Sequence, residues 1–134
     1  MNNIEHIAFA VRSLSNAIPL FEKLLGTPCY KTETVDTEKV KTAFFKTGES
    51  KVELLESLTE DGVIAKFIDK KGEGMHHVAF AVEDIESEIL RLKSEGFEFI
   101  NEVPRKGADN KLICFLHPKS TNGILIELCQ EMGR

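Results

Sequence analysis

Two histidines and two glutamates occupy matching places in the sequence and have the types to bind a metal ion. His6 opens the segment HIAFAV, and His77 opens the nearly identical segment HVAFAV. Glu53 lies in VELL and Glu127 lies in IELC, so apolar residues flank each glutamate. Two imidazoles and two carboxylates suit a divalent metal that keeps positions open for water or substrate. The pattern therefore predicts one metal site built from all four residues.

Each of these residues, taken alone, has an ordinary structural explanation. A histidine on a sheet face is commonly satisfied by a hydrogen bond, and a strand glutamate commonly faces solvent on the wet side of an antiparallel sheet. A carboxylate buried among apolar residues without a partner would be costly. The recurrence of all four residues at matched positions favours the metal site over these separate explanations.

The positions match because the chain contains an internal repeat, in which His77 follows His6 by 71 residues. Ser13 and Asp84 correspond, and both are residue types that begin helices. Apolar residues then recur with the spacing of a helix that packs on one side, in the pairs Leu14 and Ile85, Ile18 and Ile89, and Phe21 and Leu92. Gly26 and Gly96 are predicted to end the two helices.

Three strands are predicted after each helix. They lie near Cys29–Val35, Val40–Thr47 and Lys51–Ser57 in the first repeat, and near Phe97–Ile100, Lys111–His117 and Gly123–Gln130 in the second. A linker helix is predicted over Asp61–Lys71, and Pro104–Asn110 is predicted to be an irregular loop. The sequence thus predicts an α+β fold with mixed sheets in a single domain, residues 1–134. Two tandem βαβββ repeats, residues 1–60 and 75–134, are joined by a linker at 61–74.

The first strand of each repeat is predicted to present its histidine beside small side chains. Alternate residues of a strand share a face, so His6 lies with Ala8 and Ala10, while Ile7 and Phe9 face the helices. The strand that begins near His77 has the same alternation, which places His76 on the opposite face. We expect the alanines to leave room for a ligand.

Composition excludes several function classes. The net charge of −5 argues against nucleic acid as a partner. No apolar run approaches the roughly 20 residues that span a bilayer, and the first residues lack the pattern of a secretory signal. The cysteines, Cys29, Cys114 and Cys129, lack metal-site spacing and are expected to be reduced thiols. A cytoplasmic protein without a membrane partner is therefore expected.

Beyond this pattern, several segments resemble the vicinal oxygen chelate superfamily and, more narrowly, the methylmalonyl-CoA epimerase family. They are HIAFAV at residues 6–11, VELLE at 52–56, GMHHVA at 74–79, FLHPK at 115–119 and GILIEL at 123–128. The resemblance covers essentially the whole chain. It implies a glyoxalase-like incomplete barrel around a metal site, with His6, His77 and Glu127 as ligands. Glu53 falls on the fourth ligand position, where some members carry glutamine.

The resemblance also implies an activity. Members interconvert (2R)- and (2S)-methylmalonyl-CoA, a step of propionate metabolism, by removing the C2 proton through a metal-stabilised enolate. Glu127 and Glu53 are the implied catalytic residues. One divalent ion per chain is expected, with cobalt first and zinc, manganese, nickel or magnesium as alternatives. In one bacterial branch a further glutamate, on the third strand, is proposed as a second base. That position falls near Thr42 here, which cannot serve as a base, so the second acid/base stays open.

Two other functions stay open, namely a lactoylglutathione lyase-like isomerase and a metal-free small-molecule binding protein. Family analogy predicts a homodimer. Four basic residues, Arg105, Lys106, Lys111 and Lys119, are close in sequence and would either contact the phosphates of CoA or form a solvated charged face. His117, at the end of a predicted strand, is a candidate for the rim of the site.

Overall fold

The computed structural model describes residues 1–133, and it confirms the α+β fold class with eight strands and three α-helices in this range. The strands are β1 (Ile4–Ala10), β2 (Lys31–Val35), β3 (Val40–Thr47), β4 (Ser50–Ser57), β5 (Gly74–Ala81), β6 (Arg105–Lys106), β7 (Lys111–Leu116) and β8 (Ile126–Glu131). The helices are α1 (Leu14–Leu25), α2 (Val63–Lys71) and α3 (Ile85–Ser94). None of these helices is long and apolar enough to cross a membrane.

The chain divides into two compact units. The first unit is His6–His76, and the second unit combines Met1–Glu5 with the residues from His77 onward. The strands of the first unit follow the order β2-β3-β4-β1, and those of the second follow β5-β8-β7-β6. In each, the strand with the histidine runs parallel to the strand with the glutamate, and the other pairs are antiparallel.

The N-terminal residues join the second unit through backbone hydrogen bonds. The N–H of Asn2 donates to the carbonyl of Ala81 at 2.9 Å, and the N–H of Ala81 donates to the carbonyl of Asn3 at 2.9 Å. These bonds continue β5 on the side away from β8. The start of the chain therefore completes a sheet whose other strands come from the second half of the sequence.

Helix α1 covers one face of the first unit's sheet, as its apolar stripe predicts. Its core contains Val11, Leu14, Ala17, Ala43, Phe45 and Leu54. The rings of Phe9 and Phe21 lie 5.7 Å apart, which joins β1 to the helix. The side chain of Ser13 accepts the N–H of Asn16, and Gly26 ends the helix with φ 68°, a left-handed conformation that favours glycine.

The space that the alanines of β1 were expected to leave is occupied by part of the fold. Ala8 and Ala10 are fully buried, and they pack in one cluster with Ile64 and Ile68 of helix α2. The small side chains of β1 therefore contact the linker helix. The expectation of open room beside them is wrong for this unit, because the sequence did not show on which face α2 would pack.

Helix α3 repeats the role of α1 in the second unit. The side chain of Asp84 accepts the N–H of Ser87, and the helix buries its apolar stripe against β7 and β8. The core residues are Val82, Ile85, Ile89, Leu92, Cys114, Leu116 and Leu128. The opposite sheet face carries Ala79, which packs with Ile113 and Cys129.

The two helices are anchored by equivalent residues. The carboxylate of Glu56 accepts the N–H of Leu14 at 2.7 Å, and the amide oxygen of Gln130 accepts the N–H of Ile85 at 2.8 Å. Glu56 follows Glu53 by three residues, and Gln130 follows Glu127 by three. Because side chains alternate along a strand, β4 and β8 each hold a helix on one face and present a glutamate on the other.

Two local predictions in the second repeat are wrong. Residues 97–100 form only an isolated bridge between Phe99 and Leu116, whereas the loop predicted at 104–110 contains strand β6. The apolar side chains of Phe97 and Phe99 pack against the core beneath α3 and do not mark a paired β-strand. Strand β6 exists through its pairing with Leu112 and Ile113, which a local pattern cannot reveal.

Candidate functional site

The first unit buries a histidine–glutamate pair. His6 is 4 % exposed and Glu53 is 5 % exposed, and His6 Nδ1 lies 3.1 Å from Glu53 Oε2. The parallel register of β1 and β4 places Glu53 across from Ala8, two residues after His6. Since residues two apart on a strand share a face, the imidazole and the carboxylate project to the same side.

The second unit contains the corresponding pair in the same register. His77 is 6 % exposed and Glu127 is 4 % exposed, with His77 Nε2 placed 3.1 Å from Glu127 Oε1. Glu127 lies across from Ala79, again two residues after the histidine. The correspondence that the repeat predicts is therefore found in both units. Within each unit the predicted residues come together.

Each pair offers nitrogen and oxygen donors of the kinds that bind divalent transition metals. A buried carboxylate needs a hydrogen-bond donor or a cation, and in each unit the neighbouring imidazole supplies the contact. An imidazole nitrogen and a carboxylate oxygen on adjacent strands are also a common part of catalytic metal sites. The donor set in each unit therefore fits a metal ion as well as a hydrogen bond.

An aromatic ring lies beside each glutamate, a feature that the sequence analysis missed. Phe44 of β3 is directly across from Glu53, and Phe115 of β7 is directly across from Glu127. Phe44 is fully buried, and the ring of Phe115 meets the ring of His77 edge-on at 5.4 Å. The two phenylalanines are 71 residues apart, so the offset that relates the histidines would have identified them.

A cation lies over each of these rings. Lys31 Nζ is 5.3 Å from the centre of the Phe44 ring, and Arg105 Cζ is 5.9 Å from the centre of the Phe115 ring. Both distances are within the range of cation–π attraction. Lys31 Nζ also lies 3.3 Å from Glu33 Oε1. A positively charged side chain therefore lies over the phenylalanine that neighbours each histidine–glutamate pair.

Cys114 is not placed for chemistry. Burial first, and then the negative charge of Glu127, raise the pKa of the Cys114 thiol to about 12, although Arg105 partly offsets the rise. Cys129 is also buried, and Cys29 is half-buried. A thiol that keeps its proton is a poor nucleophile and a poor metal ligand, so Cys114 acts as an apolar core residue.

The other two histidines, His76 and His117, contact residues outside the two histidine–glutamate pairs. His76 meets the ring of Phe67 edge-on at 4.9 Å, which places it against helix α2. His117 begins the short 3-10 turn Pro118–Ser120, and its Nδ1 accepts the N–H of Lys119 at 3.2 Å. His117 therefore has a local capping role. Thr42, the position of the extra glutamate in one branch, is 1 % exposed on β3.

The four basic residues of the second repeat do not form one charged surface. Lys111 is buried and lies 3.9 Å from Glu5 and 3.8 Å from Glu131. Lys119 pairs with Glu98 at 3.0 Å. Arg105 stacks on Phe115, while Lys106 pairs in register with Leu112 and thus projects to the opposite face of the sheet.

Comparison with known proteins identifies the family. Residues 5–115 match the model of the glyoxalase/bleomycin resistance protein/dioxygenase superfamily. An uncharacterised Bacillus subtilis protein, YqjC, is 41 % identical over 133 residues, which are 99 % of this chain and 95 % of that protein. The mitochondrial methylmalonyl-CoA epimerase of Homo sapiens is 34 % identical over 131 residues, which are 97 % of this chain and 74 % of that protein.

Solved structures give the same result. The methylmalonyl-CoA epimerase of Mycobacterium tuberculosis is 33 % identical with a TM-score of 0.93, over 98 % of this chain and 89 % of that chain. A methylmalonyl-CoA epimerase in complex with methylmalonyl-CoA and NH4+ is 29 % identical with a TM-score of 0.91, over 99 % and 96 % of the two chains. The chain therefore belongs to the glyoxalase/bleomycin resistance protein/dioxygenase superfamily and, within it, to the methylmalonyl-CoA epimerase family of enzymes.

Proposed function

We propose that the chain epimerises methylmalonyl-CoA at C2 and holds one divalent metal ion through His6, His77 and Glu127, with Glu53 in the fourth ligand position. One observation carries the proposal. Each unit buries an imidazole–carboxylate pair with a separation of 3.1 Å, at the same register position, in a chain of the epimerase family. A relative with that activity in its name has also been solved with methylmalonyl-CoA bound.

The donor types support a transition metal. Two imidazoles favour cobalt, zinc or nickel over manganese and magnesium, which prefer oxygen ligands. Cobalt is the metal that we propose. A divalent ion would also compensate the charge of two carboxylates that are each at most 5 % exposed.

The reaction needs charge stabilisation and a proton carrier. C2 of the substrate lies between a thioester and a carboxylate, so losing its proton spreads negative charge onto the neighbouring oxygens. When bound, the metal ion would supply Lewis-acid stabilisation of that charge. A carboxylate of the chain takes the proton from C2, and such general base catalysis typically contributes about 10²–10⁴-fold.

Inversion at C2 also requires a proton to return to the opposite face of the carbon. Glu127 and Glu53 occupy equivalent places in the two repeats, and we propose that they carry the proton on the two faces. A carboxylate that binds a metal is less basic, so we place their ligand role before their catalytic role. The phenylalanines beside them, Phe44 and Phe115, exclude water and so protect the reacting carbon.

We also propose that the protein is a homodimer. Strands β2 and β6 are the outer strands of the two units, and exposed strand edges are commonly covered. Light scattering at micromolar concentration should give about twice the 15.0 kDa mass of the chain. A mass near that of one chain would contradict the proposal.

The function is tested by deuterium exchange at C2 of methylmalonyl-CoA in D2O, before and after treatment with a chelator. We expect exchange and epimerisation by the metal-loaded protein, a loss of at least about 100-fold after chelation, and recovery with cobalt. Equal exchange in the chelated protein would contradict the metal requirement. Ester binding without exchange would instead indicate a binding protein, and turnover of a glutathione hemithioacetal alone would indicate a lactoylglutathione lyase-like isomerase.

A further inference from the structure

Arg105 is connected to the His77–Glu127 pair through a single aromatic ring. Its guanidinium carbon lies 5.9 Å from the centre of the Phe115 ring, and that ring meets His77 edge-on at 5.4 Å. The planes of the His77 and Phe115 rings meet at 88°. The Phe115 ring therefore contacts both the cation and the histidine of the candidate site.

The sheet register puts Arg105 on the face that carries the pair. Arg105 is across from Ile113, Ile113 is across from Cys129, and Phe115 is across from Glu127. Paired residues project to the same side of a sheet, and residues two apart share that side. Strand β6 has only two residues, and of these Arg105 is the one on the side of Glu127.

The substrate of the proposed reaction is strongly anionic, while the chain has a net charge of −5. Overall charge therefore disfavours its approach, and recognition needs positive charge at a defined place. Arginine suits this task, because its planar guanidinium binds carboxylates and phosphates through two parallel hydrogen bonds. Stacking on Phe115 restricts the side chain before the substrate arrives, which lowers the entropy cost of binding.

We propose that Arg105 binds an anionic oxygen group of the acyl-CoA substrate, namely the carboxylate of its acyl part or a phosphate of its CoA part. The identity of the substrate, an acyl-CoA, is taken from the proposed function. The new part of the proposal is that Arg105, and not one of the three basic residues near it in sequence, binds the anionic group.

The other basic residues of this region lie elsewhere. Lys111 is buried between Glu5 and Glu131, at the end of β7 away from Phe115. Lys119 pairs with Glu98 beyond the end of that strand. Lys106 projects to the opposite face, where β7 carries Leu112. Lys106 is thus a matched control: it is adjacent in sequence, carries the same charge and differs in the face that it occupies.

The test measures dissociation constants by calorimetry for wild type, Arg105→Gln, Arg105→Lys and Lys106→Gln. Three ligands separate the sources of the anion. Methylmalonyl-CoA has the carboxylate and the phosphates, propionyl-CoA has only the phosphates, and S-methylmalonyl-pantetheine has only the carboxylate. Thermal unfolding of each variant shows whether it is folded, and Arg105→Lys supplies a second variant that retains the charge.

We expect Arg105→Gln to weaken binding of methylmalonyl-CoA by about 10- to 100-fold, the range of a charge-assisted hydrogen bond. Arg105→Lys should fall between it and wild type. Lys106→Gln should stay within about 2-fold of wild type, because Lys106 projects to the opposite face of the sheet. A loss that extends to propionyl-CoA identifies a phosphate. A loss that extends to the pantetheine ester identifies the carboxylate.

If Arg105→Gln binds all three thioesters as tightly as Lys106→Gln does, Arg105 does not bind the anionic group and the proposal is overturned. Wild type that binds the esters without epimerising methylmalonyl-CoA contradicts the proposed function, and the Arg105 comparison then still decides this inference. If the wild-type protein binds none of the three thioesters, both the proposed function and the proposed role of Arg105 are overturned.

Discussion

Phe44 and Phe115 are 71 residues apart, and each lies directly across from the glutamate of its own unit. The repeat thus duplicates three side chains and not two, because each unit places a histidine, a glutamate and a phenylalanine together. The ring excludes water from one side of the carboxylate and contributes apolar surface to the core. Each unit therefore places an apolar side chain beside its own histidine–glutamate pair.

Glu127→Gln should remove most of the epimerase activity while the fold remains intact. The amide keeps the shape of the side chain and one oxygen, but loses the charge and the capacity to carry a proton. We expect a loss of at least about 10²-fold in rate. Turnover of (2R)-methylmalonyl-CoA, coupled to a stereospecific mutase, measures the loss, with metal content determined on the same samples.

Glu53→Gln is the matched comparison for this experiment and should lose less activity, because the resemblance allows glutamine at that position. Glu127→Gln that turns over like wild type at full metal occupancy would show that Glu127 is neither a required charged ligand nor a base.

Metal binding should depend on His6 and His77 but not on His76. We expect elemental analysis to give about one divalent metal per wild-type chain, and far less in His6→Ala and in His77→Ala. His76→Ala is the control, because it neighbours His77 but packs against Phe67. Removing the metal should also lower the melting temperature, since a ligand that binds only the folded state stabilises it. Full metal content in both His6→Ala and His77→Ala would exclude this ligand set.

Glu56→Ala should destabilise the first unit by about 1–3 kcal/mol, because the N–H of Leu14 loses its acceptor at the start of α1. Gln130→Ala should have a similar effect through Ile85 and α3. Glu49→Ala, at an exposed turn position, is the control and should stay within about 0.5 kcal/mol. Chemical denaturation measures the free energies of unfolding. Equal stability of Glu56→Ala and Glu49→Ala would contradict an anchoring role for Glu56.

The buried thiol of Cys114 should make stability fall at alkaline pH. Its pKa is raised from 9.0 to about 12 in the folded protein, chiefly by burial. Above pH 9 the unfolded chain releases this proton while the folded chain retains it, so the free energy of unfolding decreases as pH rises towards 12. The decrease from this group is at most about 1.4 kcal/mol per pH unit. Denaturation of wild type and of Cys114→Ala at several pH values isolates it, and identical slopes would refute the prediction.

Local chemistry and the repeat made the two histidine–glutamate pairs predictable from sequence. The offset between His6 and His77 predicted both first strands, the helices that follow them and the positions of Glu53 and Glu127. Strand alternation then indicated that the histidine and the glutamate of each repeat could share a face. These inferences need only periodicity and pairing within a short unit, which a sequence encodes directly.

The predictions that were wrong concern segments whose structure depends on contacts with residues distant in the sequence. Arg105 joins a strand only because Ile113 lies opposite it, and Ala8 is covered because α2 returns across β1. Phe97 and Phe99 have the apolar character of a strand but pack on a helical core with little pairing. The residues of a segment do not by themselves determine which strand it pairs with or which face of a sheet it covers.

The backbone bonds of Asn2 and Asn3 to Ala81 set an order of events during synthesis on the ribosome. Asn2 and Asn3 must wait for a partner that is translated after the whole first unit. Until then the nascent chain carries an unpaired strand end, and such edges are where growing polypeptides aggregate. A change at Asn2 or Asn3 that breaks these bonds would act on this late step, and it would disturb the second unit although these residues are next to the first unit in sequence.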